Sequence, residues 1–207
     1  TTLALLSAVD SRDASSSCTG NPVFNLLRLR RDISSVSTMG MTYTDRVDGD
    51  QYNRVAAVDA RILFAREYTL NLHVAASATR GDSGTSTAPL WNLSSNRTGL
   101  KLGFLYSFSG VAPDFVAASG FVPRTDFVKA SAYHRFSFYG RPGSFLESWL
   151  IRQGLDGIWL YDKFRHGDGV QETKLQFENV LNLRGGWVVS VTPVTESFLF
   201  DERRYAS

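Results

Sequence analysis

Tyr68-Thr69-Leu70-Asn71-Leu72-His73-Val74-Ala75-Ala76-Ser77-Ala78-Thr79 is the stretch that decides the fold. Tyr68, Leu70, Leu72, Val74, Ala76 and Ala78 fall on one side of an extended chain, and Thr69, Asn71, His73, Ser77 and Thr79 on the other. Successive side chains of extended backbone point to opposite faces, whereas a helix would scatter these residues around its axis. The stretch therefore reads as a long β-strand with one dry and one wet face. The pattern recurs on either side of it. Over 53–64, Ala56, Val58, Ala60, Ile62 and Phe64 oppose Asn53, Asp59 and Arg61. Over 99–109, Leu100, Leu102, Phe104, Tyr106 and Phe108 oppose Gly99, Lys101, Gly103, Ser107 and Ser109, with Leu105 breaking the alternation. Over 173–183, Leu175, Phe177, Leu181 and Leu183 oppose Lys174, Gln176, Glu178 and Asn182, a polar face that must meet water.

Further strands read over 23–33, 37–45, 128–139, 145–153, 155–161 and 187–194, with weaker patterns over 3–9 and 115–122. Ser34-Ser35, Val47-Asp48-Gly49-Asp50-Gln51, Arg66-Glu67, Gly140-Arg141-Pro142-Gly143 and Arg184-Gly185-Gly186 are turn-sized and rich in Gly, Asp or Ser, as hairpins require. Two longer polar stretches, 80–98 and 163–171, read as loops. The expectation is an all-β, antiparallel up-and-down β-barrel of about ten to twelve long strands, a single domain over 1–207. It spans a membrane or is a piece of such a barrel.

Strand length separates a membrane barrel from a soluble one. Soluble strands average about five or six residues, and a strand tilted across a bilayer needs about nine to eleven. Several segments here are longer than the soluble average. Trp91, Tyr106, Phe108, Phe138, Tyr139, Trp149, Trp159, Tyr161 and Trp187 lie at or near strand ends, where interfacial girdles place aromatics. In a soluble barrel or sandwich the same rings would fill a core. No run of about 18 apolar residues is present, which excludes a transmembrane helix and leaves a barrel open. The mean hydropathy of -0.14 suits a wall that is apolar on alternate residues only. Thr1-Thr2-Leu3-Ala4-Leu5-Leu6 lacks the basic start of a secretory signal, so either a signal was removed or this is an internal piece.

Charge announces no partner. Lys and Arg number 22 against 20 Asp and Glu, a net charge of +2, so no nucleic acid is expected. Cys18 stands alone, cannot form an intrachain disulfide, and reads as incidental. His73, His134 and His166 have no zinc-ligand spacing, and Asp48-Gly49-Asp50 and Gly167-Asp168-Gly169 lack a full calcium loop, so no metal or cofactor is expected. Gly81-Asp82-Ser83-Gly84 is not a nucleophile elbow.

The runs Phe24-Asn25-Leu26-Leu27-Arg28-Leu29-Arg30-Arg31-Asp32-Ile33, Tyr43-Thr44-Asp45-Arg46 and Tyr52-Asn53-Arg54-Val55-Ala56 resemble a bacterial family of unassigned function. Its members usually carry a family-nine-type carbohydrate-binding module ahead of a large C-terminal outer-membrane β-barrel domain. Ala112-Pro113-Asp114-Phe115 and Gly120-Phe121-Val122-Pro123-Arg124-Thr125-Asp126 are the most specific part of the match. The resemblance runs from near Leu3 to near Tyr205 and covers part of the barrel domain, without the carbohydrate module. It implies a fragment or a shortened relative, a bacterial outer-membrane location, and no catalytic residues. Pro113 and Pro123 would delimit a bent, inward-folded segment. Arg28, Arg30, Arg31 and Asp32, with Asp45, Arg46 and Arg54, would form a charged ladder on the lumen side.

Two functional expectations result. In the first, a non-enzymatic outer-membrane barrel serves passage or surface handling of a carbohydrate or other small polar ligand. Arg28, Arg30, Asp59, Arg61, Asn71, His73 and Lys101 line it, and Trp149, Trp159 and Tyr161 supply rings of the kind that stack on sugars. The bilayer is then a partner, and an oligomer or a missing barrel portion completes the wall. In the second, a soluble periplasmic or extracellular β protein hydrolyses glycosides with paired carboxylates drawn from Glu147, Asp156, Asp162, Glu172 and Glu178.

Overall fold

The computed structural model describes residues 1–17 and 19–199, and the reading of Cys18 lies outside them. Twelve strands follow one another along the chain: β1 (Thr2–Val9), β2 (Val23–Asp32), β3 (Thr38–Asp48), β4 (Gln51–Phe64), β5 (Tyr68–Gly81), β6 (Gly84–Thr98), β7 (Leu102–Val111), β8 (Phe127–Tyr139), β9 (Leu146–Trp159), β10 (Glu172–Leu183), β11 (Trp187–Val191) and β12 (Val194–Phe198). One helix, α1 (Tyr161–His166), sits between β9 and β10. The strands form one antiparallel up-and-down sheet in the order β1 to β11, with β12 paired to β10. Among the described residues β1 pairs with β2 alone, so no closing pair belongs to this order.

Four expectations about elements change. Residues 84–98, read as loop, are strand β6, and only Asp82 and Ser83 turn. Its Ser, Thr and Asn residues signalled a loop by composition, yet an antiparallel strand tolerates them wherever both edges are paired. The segments 145–153 and 155–161 are one strand, β9. Gly154 between them marks a close approach and not a break: a Cβ there would lie 2.5 Å from the Tyr133 ring. The segment 187–194 divides into β11 and the start of β12 at Thr192-Pro193, because Pro193 has no N–H to give. Its carbonyl accepts from the Phe177 N–H at 3.1 Å. Finally, 115–122 is no strand. It is an irregular segment that bonds to Asn53 of β4 and Ser77 of β5.

The strands group into two compact units, Thr1–Leu63 with Leu70–Leu93 and Ser109–Phe127, and Phe64–Thr69 with Ser94–Phe108 and the described residues from Val128 onward. In the first unit the register sets Leu3, Leu29, Met41 and Val58 in one cross-strand row, and Leu5, Leu27, Tyr43 and Ala56 in the next. On the opposite face the rows are Thr2, Arg30, Gly40 and Asp59, then Ala4, Arg28, Thr42 and Ala57. In the second unit one face carries Ala132, Leu155 and Leu175, and the other carries Ser131, Asp156 and Lys174.

Burial on these two faces runs opposite to that of a water-soluble sheet. Val58, Leu155 and Leu175 are 52%, 53% and 56% exposed, while Ser77 and Asp156 are 2% and 7% exposed. Leaving such side chains in water forgoes about 1.5–3 kcal/mol each.

Connections also differ by end. In the first unit the long connections 10–22 and 112–126 share one end with the tight turns 49–50 and 82–83, and 33–37 lies at the other. In the second unit 65–67, 99–101, 140–145 and 184–186 share one end and the longer 160–171 lies at the other.

Candidate functional site on the polar faces

In the first unit the polar face is organised around Asp59. Arg28 on β2 reaches across β3 to both carboxylate oxygens of Asp59 on β4, with Nη2 at 3.0 Å from Oδ2, and Nη1 also donates to Thr42 Oγ1 at 2.7 Å. A side chain can lie over the middle strand only where that strand offers no obstruction. Gly40 provides this, since a Cβ there would stand 2.7 Å from Arg28 Nη2 and 2.9 Å from its Cζ. The pair is two-pronged, the geometry guanidinium and carboxylate favour. Arg30 stands in the same row as Gly40 and Asp59. Arg30 and His73 both act electrostatically on Asp59.

Toward the end with the long connections, two more groups pin chain onto this face. Asp48, the last residue of β3 and 1% exposed, accepts from Ser15 Oγ at 2.6 Å, Ser16 N–H at 2.8 Å, Ser16 Oγ at 3.0 Å and Ser17 Oγ at 2.7 Å. These serine donors hold its carboxyl well below the usual carboxylate range. Arg46 adds an ion pair at 3.1 Å. The connection 10–22 is thereby fixed. Asn53 fixes the irregular segment after β7: its Nδ2 donates to Val116 O at 3.0 Å and Thr79 Oγ1 at 2.8 Å, and its Oδ1 accepts from Ala118 N–H at 2.8 Å. Ser77 Oγ accepts from the Val116 N–H at 3.3 Å, and Phe115 is buried.

In the second unit the buried Asp156 on β9 accepts from Ser131 Oγ at 2.5 Å and from Tyr133 Oη, and pairs with Lys129 Nζ at 3.2 Å. Lys174 lies directly opposite it on β10 and pairs with Glu196 Oε1 at 2.7 Å. A pocket of about 280 Å³ opens here, lined by Lys129, Asp156, Glu172, Lys174, Glu196 and Phe198 among others. Such an arrangement can bind a small polyhydroxylated molecule through mixed charged and apolar walls. Asp156 is engaged there by three donors, Ser131, Tyr133 and Lys129.

Of the expected lining residues, Arg28, Arg30, Asp59 and Arg61 share the polar face of the first unit. Asn71 and His73 occupy one side of β5 with Ser77. Lys101 belongs to the second unit, exposed in the turn before β7, where its carbonyl accepts from the Ser137 N–H at 2.8 Å. Nor do Trp149, Trp159 and Tyr161 form one sugar-stacking cluster. Trp149 and Trp159 share the apolar face of β9 but stand ten positions apart, about 34 Å along the strand. Trp149 packs on Phe138 and Trp159 on Phe164, with ring centroids 5.6 Å and 5.7 Å apart. Tyr161 is buried at the start of α1.

The charged ladder splits by parity. Arg28, Arg30, Asp32 and Arg46 take the polar face, while Arg31, Asp45 and Arg54 take the apolar one, where Arg54 Nε lies 3.6 Å from Asp45 Oδ1. Among the expected carboxylates only Asp156 and Glu172 share a pocket. Glu147 lies nine positions from Asp156 along β9, about 30 Å away. Glu178 is taken by Arg152 at 2.6 Å, and Asp162 is exposed in α1. Gly40, Thr42, Asn53, Ser77, Ser131 and Tyr133 had no signal of their own in the sequence, apart from the isolated glycine within a strand pattern, which hints at close approach.

Comparison with protein-family models, with curated proteins and with solved structures finds no match.

Proposed function

We propose that this chain is wall of a bacterial outer-membrane β-barrel, with its apolar face in lipid and its polar face lining the path of a polar solute such as an oligosaccharide. The observation that carries the reading is the reversal of burial. Leu3, Leu29, Met41, Val58, Leu72 and Val74 in one unit, and Leu155, Leu175 and Phe177 in the other, are exposed while Asn53, Ser77, Ser131 and Asp156 are buried. Lipid is the solvent in which that arrangement costs nothing.

Dimensions agree. From Tyr68 to Ala78 the apolar side of β5 runs ten residue steps, roughly 34 Å, which at a strand tilt of about 40° gives an apolar height of about 26 Å. Barrels of this kind carry an apolar band about 25 Å tall. Trp149 with Phe138 at one end of β9, and Trp159 with Phe164 at the other, suit the two interfaces. In the second unit, short turns at one end and the longer connection 160–171 at the other fit the same class. The unshared edge of β1 calls for a further strand, from another portion of polypeptide or a second chain.

The test is flotation of the purified chain with phospholipid vesicles on a density gradient. Co-flotation that resists high salt and alkaline carbonate is expected. A stable monomer in buffer without detergent would overturn the proposal.

A further inference from the structure

The apolar face of the first unit is not smooth. Leu29, Met39, Met41, Val58, Ala60 and Leu72 border a groove of about 390 Å³, and Arg31 stands at its end. Register explains the shape. Arg31, Met39 and Ala60 form one cross-strand row, and Leu29, Met41 and Val58 the next. Ala60 is the small residue of its row and gives the groove a low floor, while the two methionines are unbranched and conform to an irregular occupant.

Arg31 is the unexplained member. It is exposed, one residue before the end of β2, and it makes no hydrogen bond or ion pair among the described residues. Of the other charges on this face, Asp45 and Arg54 pair with each other and Arg80 is the last residue but one of β5, all of them toward the opposite end of the strands. At a strand tilt of about 40°, the four residue steps from the Arg31 row to the Tyr43 row climb about 10 Å. This lies within one leaflet of hydrocarbon, about 15 Å thick.

We propose that this groove holds one anionic phospholipid, its phosphate on Arg31 and an acyl chain along Met39, Met41 and Leu29. The inference rests on the membrane-wall reading. Arginine matches a phosphate with two parallel N–H donors, and at the edge of an apolar belt its stem lies along hydrocarbon while its head meets the headgroup layer.

The probe is dioleoylphosphatidylglycerol, with dioleoylphosphatidylcholine as the comparison, added to the full chain in maltoside micelles and followed by native mass spectrometry. Preferential retention of one phosphatidylglycerol is expected, weakened about fivefold by Arg31→Gln. Ala60→Leu, which fills the floor, is expected to weaken retention with Arg31 intact. Equal retention by wild type and Arg31→Gln overturns the inference, as does full displacement by millimolar glycerol phosphate, which would make the site one for free phosphate. Flotation separates the two failures. A chain that floats with vesicles but shows no Arg31 dependence refutes the lipid site alone, and one that never floats refutes the membrane reading beneath it.

Discussion

Single atoms decide several of these features. Gly40 is the clearest case, because the missing Cβ is what lets Arg28 cross β3. A Cβ there would meet the flexible end of Arg28 and, at 3.0 Å, the Leu29 carbonyl, so Gly40→Val is expected to swing Arg28 away and shift β3 against β2 by a few tenths of an ångström. The pair is about one-third exposed, so its loss should cost only about 0.5–1 kcal/mol. In a double-mutant cycle of urea midpoints in detergent, Gly40→Val and Asp59→Asn should therefore be non-additive, and simple additivity would refute the bridge. Asp48 yields a pH prediction. A carboxyl held below its unfolded value, about 3.9, stabilises at every pH above that value and is lost only as pH falls through the lower, folded value. The Ser16 amide should accordingly keep its hydrogen-exchange protection at pH 4, where ordinary carboxylates are half protonated, and lose it in Asp48→Asn at pH 7. The sequence displayed Gly40, Asp48 and Arg28 but not their meetings, which follow from register across three strands and from the path of a loop.

At the scale of the element, alternation was informative wherever it was strong. β4, β5, β8 and β10 lie close to where period two placed them, since each has apolar residues on every second position for most of its length. β6 was missed because Gly, Thr and Ser dominate its first half, and composition outweighed the pairing that only neighbours reveal. The parity error over Arg31, Asp45 and Arg54 has a simpler origin: adjacent charges such as Arg30 and Arg31, or Asp45 and Arg46, point to opposite faces of a strand and cannot join one ladder. The irregular segment after β7 is an element whose docking can be tested. Asn53→Ala removes three hydrogen bonds from buried or half-buried partners, and should lower the protection of the Val116 and Ala118 amides by about 1–3 kcal/mol with β4 and β5 unchanged. Unaltered exchange at both amides would show that Phe115 and the Ser77 hydrogen bond seat the segment without Asn53.

For the whole molecule, no strand considered alone says which of its faces meets lipid and which meets water. Alternation is symmetric in that respect, and the reversal of burial became visible only with the partners in place. A charge placed on the apolar face should oppose insertion while the same charge on the polar face is tolerated. Leu155→Arg is expected to weaken vesicle partitioning by about 2–4 kcal/mol near mid-bilayer, against little change for Gln176→Arg. Equal losses would mean the two faces are not chemically distinct to the membrane. The apolar stripe of β5, about 26 Å once tilted, then acts as a ruler. Its stability is a shared property of protein and surrounding amphiphile, greatest in bilayers whose hydrocarbon matches that span. Under the membrane-wall proposal, lipids a few ångströms thicker or thinner should each lower it by fractions of a kcal/mol per Å, so that hydrocarbon thickness would select the host bilayer as much as composition.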